Sequence, residues 1–171
     1  MSKNETFFVR LFSVIILLTP LYGEITVGLL LSNHNNSKQT LLNKNTYVEC
    51  KPFGIINLDQ MIINGANPKE CQDEIEHFYR SHPSDRHFAK ENLHLQQSYH
   101  YELIKEGCVL YANAAESYSE MMLRLGIALI DRNFDNKEWN GRLKKAQSGA
   151  EKGKVGLHDT LIKKFCIKEE K

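Results

Sequence analysis

Net charge is what this sequence most lacks. Lys and Arg number 22 against 21 Asp and Glu over 171 residues, a formal +1. A near-neutral chain traps nucleic acid poorly, because that affinity rests mainly on neutralising phosphates. Long apolar runs are scarce too. The run Leu11-Phe12-Ser13-Val14-Ile15-Ile16-Leu17-Leu18 is too short to cross a bilayer by itself. No two cysteines have C-x-x-C spacing, which argues against a zinc ribbon or a thioredoxin-like redox site. No G-x-S-x-G elbow supports a serine hydrolase, and there is no internal repeat. Residues 1–23 contain no cysteine, so they offer no thiol for lipid attachment.

What is present at the N-terminus points to export. Lys3 and Arg10 precede the apolar run, and Thr19-Pro20-Leu21-Tyr22-Gly23 ends it with a small residue. That is the plan of a secretory signal peptide over residues 1–23. The alternative is an uncleaved anchor, with Ile25-Thr26-Val27-Gly28-Leu29-Leu30-Leu31 joined to the run across Pro20 and Glu24. The expected location is periplasmic or secreted, with a tether to the inner membrane if the segment stays. Cys50, Cys71, Cys108 and Cys166 are then expected to form disulfides, as an even count in an oxidising compartment implies. Three pairings are open, and free buried thiols are the competing reading.

Removing residues 1–23 leaves twenty charges of each sign, unevenly spread. Residues 137–171 hold ten Lys or Arg against five Asp or Glu, and residues 70–106 hold four against eight. The basic stretch reads as the solvated face of a helix, with contact to phosphate or an anionic membrane as the alternative.

Along the chain, residues 25–31 read as a first buried strand and residues 32–44, rich in Asn, as a loop. Residues 46–50 are a short strand, and residues 55–63 a second β-favouring run that contains Asp59. Asn67-Pro68-Lys69-Glu70 starts a helix with Cys71, Ile75, Phe78 and Tyr79 on one face. Residues 84–97 are polar, a loop or a helical turn. Residues 99–111 make two strands around Lys105-Glu106-Gly107. Ser117-Tyr118-Ser119-Glu120 and Asp135-Asn136-Lys137-Glu138 are capping boxes, and Gly126 suits a left-handed helix end. Ile127-Ala128-Leu129-Ile130 is a short strand. Trp139, Leu143, Ala146 and Ala150 line the last helix, closed by Gly153 or Gly156. Leu161, Ile162 and Phe165 near Cys166 imply that the tail from residue 159 docks.

Five pieces occur in order: Tyr111-Ala112, Ser119-Glu120-Met121-Met122-Leu123, Gly126-Ile127-Ala128, Ala146-Gln147-Ser148-Gly149-Ala150 and Gly156-Leu157-His158. Together they resemble the C-terminal half of the staphylococcal nuclease (thermonuclease) family. The resemblance implies an α+β fold, a five-stranded OB-type barrel with about three helices, over residues 24–158, with a basic tail at 159–171. It also implies calcium held by acidic residues, and two arginines that neutralise charge developing on phosphorus. Here the family's Asp-x-Pro-Glu falls on Ala66-Asn67-Pro68-Lys69, with Glu70 one step late. The preceding strand, residues 57–63, has no arginine. The second arginine falls near Lys105 or Glu106, and lysine cannot grip phosphate with two parallel bonds. Lys105 and Glu70 are the catalytic candidates and Asp59 the metal candidate, although Asp59 reads more readily as an outward strand residue or a local turn former.

Five histidines, His77, His82, His87, His94 and His100, lack the i, i+4 spacing of a metal pair and read as surface residues. Trp139 reads as a core anchor, not a base-stacking platform, and Tyr99-His100-Tyr101 as alternating barrel packing. The expectation is an exported nuclease-like domain without catalysis and without a cofactor, bound to another envelope protein. The alternative is a divergent calcium-dependent nuclease acting on DNA or RNA.

Overall fold

The structure, a computed structural model, describes residues 24–64 and 67–167. The expected signal peptide lies outside them; of the alternative anchor only residues 25–31 are described, and Thr26 to Leu31 lie in a sheet strand. Strands β1 (Thr26–Asn35), β2 (Lys38–Asn43) and β3 (Thr46–Cys50) form an antiparallel meander. Leu30 and Leu41 face each other across β1 and β2 and are fully buried. The polar stretch 32–44, read as a loop, is instead the end of β1, a tight turn at Asn36-Ser37 and then β2. Ladder bonds satisfy the backbone whatever the side chains facing water, so pairing overrides composition there. Two register shifts in β1 absorb the polar residues.

The run at 55–63 also divides. Strand β4 (Ile55–Asn57) pairs with β8 (Ala128–Ile130), and helix α1 (Leu58–Asn64) follows at once. Asn57 and Gln60 decide the break. Asn57 Oδ1 accepts from the Gln60 N–H at 3.0 Å, and the Asn57 N–H donates to Gln60 Oε1 at 2.9 Å. That reciprocal cap satisfies two backbone donors at the helix start. Asp59 therefore stands in the first turn of a helix, not on a strand.

Helix α2 (Pro68–Ser81) buries Cys71, Ile75, Phe78 and Tyr79, the face the spacing predicts. Helices α3 (Pro83–Arg86) and α4 (Phe88–Asn92) fill the polar stretch after it. Strands β5 (Ser98–Ile104), β6 (Gly107–Asn113) and β7 (Glu116–Ser117) lead into α5 (Tyr118–Arg124). The capping box at Ser117 and Glu120 forms, and Gly126 has φ +68. Helix α6 (Lys137–Gly153) is capped by Asn136, whose Oδ1 accepts from the Glu138 and Trp139 N–H groups, and not by Asp135. Lys154, at φ 50, ends it instead of a glycine. A 3-10 turn (Gly156–His158) and helix α7 (Thr160–Cys166) complete the described chain.

The fold is α+β. Six strands form an antiparallel sheet in the order β3-β2-β1-β5-β6-β7, with β4 and β8 as a separate pair. This sheet is open, which corrects the expected closed five-stranded barrel. Its strand β3 returns to β6 at one end only, through a bridge between Pro52 and Cys108 and a 3.0 Å bond from the Cys108 N–H to the Lys51 carbonyl. The Cys50–Cys108 disulfide clips that meeting point. β3 is five residues long, too short to pair along the rest of β6. The expected three helices are also too few: α2 and α6 are the long ones, and short α1, α3, α4, α5 and α7 fill the connections.

Phe53 fills the centre, with Trp139 at 4.8 Å and Phe134 at 5.9 Å between ring centroids. The tail docks: Ile162 and Cys166 are buried, Asn67 donates to the Phe165 carbonyl, and Cys71 pairs with Cys166. The pairing left open by the sequence is thus Cys50–Cys108 and Cys71–Cys166. Two disulfides accord with an oxidising, exported location. Among the described residues, no helix is long and apolar enough to cross a membrane.

Candidate functional site

A polar cleft opens where the β1–β2 turn, the β3–β4 connection and the start of α1 converge. Ser37, Lys51, Pro52, Ile55, Asn57 and Gln60 line it, and its volume is about 40 Å³, room for a water or two. The local sequence sets each group. Asn57 is 3% exposed because it ends β4 and caps α1. Its Oδ1 is taken by the Gln60 N–H, and its Nδ2 donates to Ser37 Oγ across the cleft. Asn36, beside Ser37, is buried and ties the turn to the α3–α4 segment through the Asp85 and Arg86 carbonyls and the Ala89 N–H. Gln39, further along β2, is fully buried. Its Nε2 donates to the Asn35 carbonyl, and its Oε1 has no partner among the described residues.

The chemistry of this cleft is neutral. Hydroxyl and amide groups line it, and the one cation, Lys51, pairs with Glu49 at 3.2 Å. Glu49 takes Lys38 as well, at 2.6 Å, and these two lysines hold its carboxyl below the usual range. A calcium ion needs six to eight oxygens, several of them carboxylate. The oxygens here are neutral and largely engaged, so they do not fit calcium. Among the described residues, no group of three or more His, Cys, Asp or Glu is placed to hold a metal ion.

The residues singled out from sequence stand on separate elements. Lys105 and Glu106 are exposed in the β5–β6 turn, and Glu70 is in the first turn of α2. Asp59, on α1, accepts from the Tyr79 hydroxyl at 3.2 Å. Burial of its carboxyl raises the pKa of Asp59, and burial beside Asp59 pushes the Tyr79 hydroxyl far upward. This is a hydrogen-bonded brace between α1 and α2.

Three guanidinium groups are committed to glutamates. Arg86 pairs with Glu76. Arg124 makes two bonds to Glu116, at 3.0 and 3.3 Å. Arg142 grips Glu120 with bonds of 2.9 and 2.8 Å, lies 4.3 Å over the Trp139 ring and donates to the Ala115 carbonyl. Each of the three carries its own counter-charge, which leaves little field for a phosphate.

The histidines are dispersed over α2, the α3–α4 segment and β5, and His82 stacks on Phe78 at 4.5 Å. Trp139 is buried, and Tyr99 and Tyr101 point inward while His100 faces out. Sequence reading missed the Asn36, Ser37, Gln39, Asn57 and Gln60 group. The readable signal was Asn57-Leu58-Asp59-Gln60, an Asn-x-x-Gln capping box.

A second cleft, of about 410 Å³, separates α2 from the elbow between α6 and α7. Phe78 and Ile162 form its buried floor, and Val155 and Leu161 stand half exposed at its rim. No protein-family model matches this chain, and a search of curated proteins finds no significant match.

Proposed function

We propose that this chain is an exported domain of the staphylococcal-nuclease type, with its barrel left open along the β3–β6 seam. It works without catalysis, by binding another protein of a bacterial-type envelope. One observation carries the non-catalytic reading: Arg86, Arg124 and Arg142 are each matched to a glutamate, while the polar cleft holds only Ser, Asn and Gln beside a paired lysine. Hydrolysis of a phosphodiester by the nuclease route needs a metal-activated hydroxide and unpaired cations around phosphorus. Losing one such group typically costs about a hundred- to thousandfold in rate. What remains to interact is surface, and apolar residues lie open on it: Tyr47 is 72% exposed, Ile25 58% and Leu161 51%.

Incubation of the oxidised chain with single- and double-stranded DNA, with calcium and with EDTA, tests this reading. No metal-dependent cleavage is expected. Turnover that EDTA abolishes and that Lys105→Ala removes would establish the divergent nuclease instead.

A further inference from the structure

We infer that the cleft between α2 and the α6–α7 elbow is the docking site for a partner segment that carries one large apolar side chain beside a lysine or arginine. The inference rests on the non-catalytic reading above and names the partner chemistry. The volume, about 410 Å³, is the size of a small-ligand site and takes an aromatic side chain with its neighbours. The floor of Phe78 and Ile162 is 8% and 4% exposed, and the rim residues Val155 and Leu161 are 42% and 51% exposed. A buried floor under a half-exposed rim is how an anchor pocket is built. The Phe78 ring is held in place by His82, which also lines the cleft, stacked on the ring and bonded to the Phe78 carbonyl.

Charge selects the partner. Two carboxylates, Glu74 and Asp159, face the cleft against one cation, Lys154. Glu74 has no hydrogen bond or ion pair among the described residues, and Asp159 spends one oxygen on the Leu161 N–H. Glu70 and Asp73 extend the acidic side along α2, within the region where acids outnumber bases eight to four, whereas the facing wall belongs to the stretch 137–171 where bases outnumber acids ten to five. A cationic residue on the α2 side of the anchor meets this field, and like charge is rejected.

The test uses the oxidised full chain, isotopically labelled, titrated with the capped tripeptides Lys-Trp-Lys and Glu-Trp-Glu. Saturable binding of Lys-Trp-Lys is expected, with amide shifts confined to residues 74–82 and 154–162. Glu-Trp-Glu should bind at least tenfold more weakly, and Glu74→Lys should narrow that ratio. Leu161→Glu alters an exposed rim residue and should weaken Lys-Trp-Lys at least tenfold. Absent binding, shifts elsewhere or equal affinity for the two peptides overturns the proposal. DNA cleavage in the preceding assay sinks the parent reading; a chain inert toward both DNA and these peptides sinks the cleft alone.

Discussion

At the scale of single residues, two glycines bear on one contact. Gly126 and Gly156 both have positive φ, and the Leu157 N–H donates to the Gly126 carbonyl at 2.7 Å. A Cβ on Gly156 would lie 2.1 Å from that carbonyl oxygen, which is backbone and cannot swing aside. Gly156→Ala is expected to cost about 3 kcal/mol or more, since left-handed strain and a steric clash add. Urea denaturation measures it, and a loss under about 1 kcal/mol would contradict the close approach. His158, two residues on, is partly buried. Burial lowers its pKa below the ordinary 6.5, with Lys163 lowering it further against the opposing pull of Glu151. Folding therefore favours the neutral ring. Its contribution is present above pH 6.5 and is lost as pH falls through the lower folded value. In His158→Gln, the decline in melting temperature between pH 7 and pH 5 should be shallower than in the parent chain.

At the scale of elements, the caps are where reading and structure part by one residue. Asp135 and Asn136 are both good N-cap types, and the capping-box pattern Asp135-Asn136-Lys137-Glu138 put the start of α6 at Asp135. Geometry chose Asn136, whose Oδ1 reaches the Glu138 and Trp139 N–H groups at 3.1 and 3.3 Å. Asn136→Ala should cost about 1 kcal/mol, whereas Asp135→Ala should be near neutral. Paired thermal melts decide between them, and the reverse order would restore the Asp135 start. The buried faces of α2 and α6 were legible because apolar residues recur at helical spacing there. Residues 58–64 were not. Leu58, Met61 and Ile62 favour a strand as readily as a helix over so short a run, and the Asn57–Gln60 cap settles the matter.

At the scale of the whole molecule, the disulfides join distant parts of the chain. Cys71–Cys166 closes a separation of 95 residues and fastens α7 to α2; Cys50–Cys108 closes 58 and holds β3 to β6. Replacing Cys71 and Cys166 by Ala should lower stability by about 2–5 kcal/mol. Hydrogen exchange should quicken first in α7, with the strands still protected; uniform loss of protection would mean that the tail is integral to the sheet's stability. The sequence by itself determined the mixed α+β class, the long helices with their apolar faces, the β5–β6 hairpin and the chemistry expected of four cysteines. These depend on neighbours within a turn or a hairpin, where spacing and propensity speak directly. Only the tertiary structure decided which cysteines pair, that the sheet stays open, and that Asn57 meets Ser37 in a neutral cleft. Those outcomes depend on contacts between residues far apart in sequence, whose energies no local pattern records.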